Sequence, residues 1–367
     1  VTTFITRLDA SGGTGPRLAV KDLIDVEGVP TTAGCKAVAD SAQAAEKDAP
    51  CMAGARAADA RIVGKANLHE LAFGATGVNQ WYGTPENPLD ASLVPGGSSS
   101  GSAVAVATDE ADVAYGSDTG GSVRIPSACC GTTGLKTTHG RIPLEGVWPL
   151  ALSLDTVGPM ARDVAGVVLG MQLLEPGFEV ADVAPTTVGR FRLQNTDPAI
   201  DAAIDRALAA AELEVMDVDL PGWMAAFATN GIILISEAWQ ADNRLLGKEG
   251  LGEPVAQRIE LGKAMTSENV AQAEAGRKAW REELAKTFER VQVIALPTMP
   301  TFPIPIERDQ ELDLTTGTGP VNLAGNPALA LPVPTAQRLP TSLQLVGPHD
   351  SEAELLALGR IIESAAT

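Results

Sequence analysis

The sequence predicts an α/β fold, and two observations carry that prediction. Short apolar or alternating runs that suit strands interleave with helical patterns along the whole chain. The glycine- and serine-rich stretches lie inside this alternation and not between two units, so no linker divides the chain. A chain of 367 residues is long enough for one large core, and one domain over residues 1–367 is the expectation.

The elements follow in order. "RLAV" (17–20) reads as a short strand ending in Lys21 and Asp22, and "VEGVPTTAG" as the loop after it. Alanine-rich residues 51–62 predict a helix, and "IVGK" (62–65) a strand end. Residues 75–102, "ATGVNQWYGTPENPLDASLVPGGSSSGS", are aperiodic; a loop of that length in a compact domain is usually functional, and Trp81 and Tyr82 suit packing. "AVAVA" (103–107) fits either a buried strand or the start of a buried helix, whose N-terminus the preceding serines suit. "ADVAYG" reads as a strand entering "GSDTGGSVRIP" (116–126), and 131–158 is rich in turn signals. Ile204, Ala207, Leu208 and Ala211 share a helical face, and "LEVMDVDL" alternates like a strand. Trp280, Leu284 and Phe288 mark a helix over 268–288. "VQVIALPTMP", "ALALPVP" and "SLQLVG" are strand candidates, and Leu355, Leu358 and Ile362 line a last helix.

A net charge of −19 repels phosphate backbones, and the sequence offers no local basic patch, so nucleic acid is not an expected partner. No apolar run is long enough to span a bilayer, and no secretion-type start is legible. Four cysteines, two of them adjacent, suit neither a disulfide framework nor a zinc knuckle; reduced thiols in a cytoplasmic protein are expected. Three histidines leave little for a Ser-His-Asp enzyme or a histidine-rich metal site.

Three features recur in the loop-rich half: Lys21 at a strand end, the serines behind two glycines at 96–102, and Ser122 behind Gly120 and Gly121. Each has an ordinary account as a solvated cap or a turn. Together they fit a hydroxyl nucleophile. Such a group needs a base, which a lysine neutralised by burial can supply through an intervening hydroxyl. Consecutive glycines let backbone N–H groups converge where an acyl-transfer transition state places negative charge.

"VKDLIDVEGVPTTAG", "PGGSSSGSAVAVA", "GSDTGGSVRIPSACCGTTGLK" and "LSLDTVGPMARDV" resemble the amidase signature family, nearly without interruption from about residue 17 to 164. Weaker agreement returns at "ALPTMPTFPIP", "VNLAGNPALALPVP" and "LPTSLQLVG". The resemblance implies a large mixed β-sheet covered by helices on both sides, with a compact part over about 165–367 completing the sheet and the pocket. It places the catalytic lysine on Lys21, the bridging serine, after a cis peptide bond, on Ser98, and the nucleophile on Ser122. The oxyanion hole falls on the backbone of Thr119, Gly120, Gly121 and Ser122. Ser99, Asp118 and Arg124 are expected to brace the site; direct contact of Arg124 with a substrate carboxylate is the alternative role for that residue. Asp22, Cys129, Cys130, His69 and His139 read as structural.

The implied chemistry is amide hydrolysis through an acyl-enzyme, with no metal or organic cofactor. The expected substrate is a small or medium soluble amide, with neither nucleic acid nor membrane as partner and a homodimer as the admissible assembly. Two alternatives stand beside it: a glutaminase-like subunit passing ammonia to a partner, and an inactive binding relic. The stretch before Lys21 is short for the family, Thr137 replaces a frequent proline, and no apolar membrane-entry helix is legible, which disfavours a lipid amide.

Overall fold

The computed structural model describes residues 2–9, 12–308 and 312–366. Its strands are β1 (Phe4–Arg7), β2 (Arg17–Lys21), β3 (Arg61–Ala66), β4 (Val113–Asp118), β5 (Thr133–Lys136), β6 (Thr156–Ala161), β7 (Thr187–Arg190), β8 (Glu214–Asp217), β9 (Val293–Pro297), β10 (Ala328–Val333) and β11 (Thr341–Val346). Among the described residues they form one mixed sheet in the order β1-β3-β2-β4-β6-β5-β10-β11-β9-β7-β8. The central strands β4, β6, β9 and β11 are buried along their whole length, as a sheet covered on both faces requires. The edge strand β8 is mostly exposed.

The helices over Val164–Leu174, Pro198–Ala210 and Glu352–Ala366 pack together, and those over Ser100–Ala107 and Arg124–Cys130 pack on each other. Their starts are chemically defined. Asp163 accepts from Gly166 N–H, Asp197 from Ala199 N–H with Pro198 in the first turn, and Thr266 makes a capping box with Asn269 ahead of Ser267–Phe288.

Two local readings resolve differently from their simplest form. The alanine-rich run is helical only over Pro50–Met52 and Ala53–Ala57. Asp59 turns to a positive φ of 53° and its carboxylate takes Thr14 N–H at 2.7 Å, while Arg61 already pairs with Arg17 in the ladder. "AVAVA" is helical because residues 100–106 are buried all round, so its alternation carries no facing information.

One pairing positions everything that follows. β2 and β4 are parallel neighbours, with Val20 opposite Tyr115. Lys21 and the end of β4 therefore emerge side by side at the carboxyl ends of adjacent strands, where open α/β sheets bind ligands.

Candidate active site

Lys21 is fully buried, and its Nζ donates to Ser98 Oγ at 2.6 Å and to Ser117 Oγ at 2.8 Å. Burial pushes its pKa down to about 7, against the opposing charges of Asp118 and Asp155. At neutral pH a substantial fraction is an uncharged amine touching two hydroxyls.

Ser98 follows a cis peptide bond, Gly97–Ser98. A Cβ on Gly97 would lie 2.6 Å from Gly77 N and 2.8 Å from Gly74 O, so only glycine lets the serine loop run this close to residues 74–77. Ser98 O accepts from His69 N–H at 3.0 Å. Ser99 reaches the same centre, its N–H donating to Ser122 O at 3.2 Å and its hydroxyl to Ser117 O at 3.2 Å. Ser100 Oγ has no hydrogen-bond partner among the described residues.

Ser122 sits at the start of the turn into the Arg124–Cys130 helix and lines a cavity of about 370 Å³. Ser99 N–H on Ser122 O holds the two serine-bearing loops against each other, and catalytic contacts in ligand-free sites often tighten only on binding. Gly121 has φ +131°, and a Cβ there would meet Thr318 Oγ1 at 2.4 Å. Its N–H donates to Asp118 Oδ1 at 2.8 Å, so of the four expected oxyanion amides this one is already engaged.

Asp118 and Arg124 form a fully buried pair at 2.8 Å. Arg124 also donates to Gln344 Oε1 at 2.6 Å, Asn322 Oδ1 at 2.5 Å and Thr318 O at 3.2 Å. Its fork is occupied by the protein and does not line the cavity. Burial works against the Asp118 charge, but Arg124, Lys136 and Asn322 overcome it and hold the carboxyl well below the usual range. Asp118 in turn accepts from Val123 N–H at 3.1 Å, fixing the turn that carries Ser122.

Four residues that sequence reasoning misses belong to this site. Ser117 is the second partner of Lys21; the parallel pairing of β2 with β4 is the signal that could have found it. Asp155 accepts from Thr119 Oγ1 at 2.6 Å and from Leu150 N–H at 3.0 Å, tying the 119–122 loop to the cavity wall. Arg258 lines the cavity and donates to Phe73 O at 2.6 Å. Asn230 lines it from the helix Trp223–Asp242. Most of the remaining wall is apolar, with Ile125, Phe227, Leu234 and Ile235.

The residues expected to be structural are engaged as such. Asp22 is buried against Lys65 at 3.0 Å and accepts from the Thr32 hydroxyl. Cys129 and Cys130 are buried free thiols. His69 is buried, and its pKa falls to about 3 through burial and the nearby charges of Arg258 and Lys21. His139 contacts Leu152 O at 3.1 Å. None of the described helices is long and apolar enough to cross a membrane.

The Amidase family pattern matches residues 14–356, and the chain belongs to that family of amide-hydrolysing enzymes. It is 34% identical to the A subunit of the glutamyl-tRNA(Gln) amidotransferase of Halobacterium salinarum, over 98% of this chain and 99% of that one. Among solved structures it resembles an amidase at 33% identity and a TM-score of 0.90, covering 96% of this chain and 85% of the other. It also resembles the A subunit of the Thermotoga maritima glutamyl-tRNA(Gln) amidotransferase at 28% identity and a TM-score of 0.83, covering 98% and 87%. The two amidotransferase subunits among these relatives correct the expected partner set of a small-molecule amide, without nucleic acid and with a homodimer as the assembly. They are named as subunits of an amidotransferase of glutamyl-tRNA(Gln). The physical reason is that net charge averages the whole surface, whereas docking to another subunit uses one patch of it.

Proposed function

We propose, from its membership of the amidase family, that this chain is the glutaminase-like subunit of a transamidation assembly, releasing ammonia from the side-chain amide of glutamine for use by a partner. The observation that carries the reading is the alignment with A subunits of glutamyl-tRNA(Gln) amidotransferases, at 32–34% identity over 94–98% of this chain. Arg258 adds chemical support. It is the cation among the described residues lining the cavity, and its positive charge suits a substrate with an amide at one end and a carboxylate at the other.

The mechanism we assign to the site is the one the family resemblance implies, and the contacts of Lys21 support it. Neutral Lys21 draws a proton from Ser98 as Ser98 takes one from Ser122. Ser122 Oγ attacks the amide carbonyl. The backbone amides of Thr119, Gly120 and Ser122 meet the oxyanion. The relay returns the proton to the departing nitrogen, the C–N bond breaks, and ammonia leaves behind a Ser122 ester. Water, deprotonated by the same relay, cleaves the ester to the carboxylate and restores Ser122. The Lys21–Ser98 hydrogen bond of 2.6 Å supports the first step.

The apolar wall favours a second reading, hydrolysis of a small or medium carboxamide with an apolar acyl group. Ammonia release from L-glutamine and from pentanamide separates the two. A higher kcat/KM for glutamine is expected; a preference for pentanamide of about tenfold overturns the glutaminase reading.

A further inference from the structure

Asn230 is 4% exposed, lines the cavity that contains Ser122, and its Nδ2 has no hydrogen-bond partner among the described residues. A buried amide donor without a partner costs roughly 1–3 kcal/mol. Native structures keep few such groups, and each needs a reason. The sequence around it gives none: its helix neighbours Ala226 and Ile233 are ordinary buried apolar residues.

The surroundings point toward the ligand. Asn230 Oδ1 lies 3.9 Å from the position a Cβ would take on Gly120, in the loop that carries Ser122, and 3.2 Å from the corresponding point on Gly319. Glycine at 319 leaves the carboxamide room, and the distance to the Gly120 point is within ordinary van der Waals reach of the loop that carries Ser122. The wall around it is apolar at Phe227, Leu234 and Ile125. An apolar wall holds an acyl chain but cannot distinguish one with a polar head from one without, whereas a buried polar group left unpaired by the wrong substrate discriminates strongly.

We propose that Asn230 is a specificity-determining residue whose carboxamide Nδ2, without a partner among the described residues, turns toward the bound substrate to donate a hydrogen bond to a polar acceptor on its acyl portion. The substrate class is thereby narrowed to amides whose acyl chain bears a polar head within reach of Gly120, such as an ω-amide of an amino acid. This deepens the glutaminase reading and rests on it for the identity of the head group, but not for the role of Asn230.

The test is Asn230→Leu, close in size and without polar atoms, in the full chain. Two readouts are taken: the ratio of kcat/KM for L-glutamine to that for pentanamide, and the midpoint of thermal unfolding. The ratio is expected to fall by about tenfold or more, mainly through KM for glutamine, while the midpoint stays the same or rises. A purely structural asparagine, satisfied by an internal water, gives the opposite pair: an unchanged ratio and a lower midpoint. That outcome overturns the proposal. Asn230→Ala is measured alongside; if the leucine variant does not fold, an unchanged ratio in the alanine variant overturns it equally. A wild-type preference for pentanamide would sink the glutaminase reading alone, because the shift of the ratio on substitution still decides the role of Asn230.

Discussion

Replacing Arg124 by methionine tests the buried framework behind Ser122. Arg124 and Asp118 are both fully buried and paired at 2.8 Å. Methionine fills much of the same volume, so the change isolates charge and hydrogen bonding. Breaking a buried pair by removing one partner costs about 3–5 kcal/mol. Asn322 Nδ2 at 2.8 Å and Gly121 N–H at 2.8 Å remain on Asp118 and soften the loss. Against that, Gln344 Oε1, Asn322 Oδ1 and Thr318 O lose a donor, so the expected cost at pH 7 is about 5 kcal/mol. Urea unfolding followed by tryptophan fluorescence measures it. The pH dependence has a fixed sign. The folded-state pKa of Asp118 is depressed, so its stabilisation is present above the unfolded value near 4 and is lost as pH falls through the folded value. The difference between wild type and variant should therefore be widest near neutrality and narrow below about pH 4. Arg124→Lys keeps a charge but not the fork, and should recover only part of the loss. A cost below about 1 kcal/mol for the methionine variant at pH 7 would refute the reasoning.

Three further outcomes are expected. Labelling of Ser122 by a fluorophosphonate should fall about tenfold per pH unit below about 7, since burial depresses the Lys21 pKa to that region and only the neutral amine accepts a proton; equal rates at pH 5 and pH 8 would contradict it. Ser117→Ala should slow the same labelling by about tenfold by removing one of two hydroxyls that hold Nζ, and unchanged kinetics would mean that Ser98 alone orients the amine. Gly121→Ala should cost at least ~2 kcal/mol in urea unfolding, because φ is +131° and the new methyl meets Thr318 Oγ1; a neutral effect would show that the loop can relax.

Lys21 and Ser122 stand out in short local patterns of glycine, serine and strand residues, whereas only the family resemblance singles out Ser98 among the serines of "GGSSSGS". Ser117 and Asp155 do not stand out, because their roles depend on pairing. Ser117 reaches Lys21 only once β2 lies beside β4, and Asp155 reaches Thr119 only once β6 lies beside β4. Asn230 and Arg258 are further removed, arriving on helices more than a hundred residues beyond Ser122. The helix Trp223–Asp242 is itself hard to read: it places Thr229, Asn230 and Gly231 in succession, all weak helix formers, where packing overrides propensity. Most strands are easier, since buried sheet strands are continuous apolar runs, as in "VIALP" and "ALALPV". Residues 51–62 are hard for the same reason as Ser117. Alanine content favours helix, but the turn at Asp59 is held by Thr14, which lies far away in sequence.

A depressed pKa alone does not select Lys21 as the proposed base. Lys136 is equally buried, and burial together with the charge of Arg124 brings it to about 7 as well. The difference lies in what each amine touches. Lys136 donates to two backbone carbonyls, Thr137 O at 2.9 Å and Asn326 O at 2.8 Å. A carbonyl accepts a hydrogen bond but has no proton to give, so a neutral Lys136 has nothing to deprotonate. Lys21 touches two hydroxyls, each both donor and acceptor, and one of them belongs to the loop that runs beside Ser122. Lys65, the third fully buried lysine, is closed off in another way, by its ion pair with Asp22. Burial makes an amine capable of accepting a proton, and the hydroxyl partner gives it one to accept; of these three buried lysines, Lys21 alone combines those conditions with a path toward the cavity.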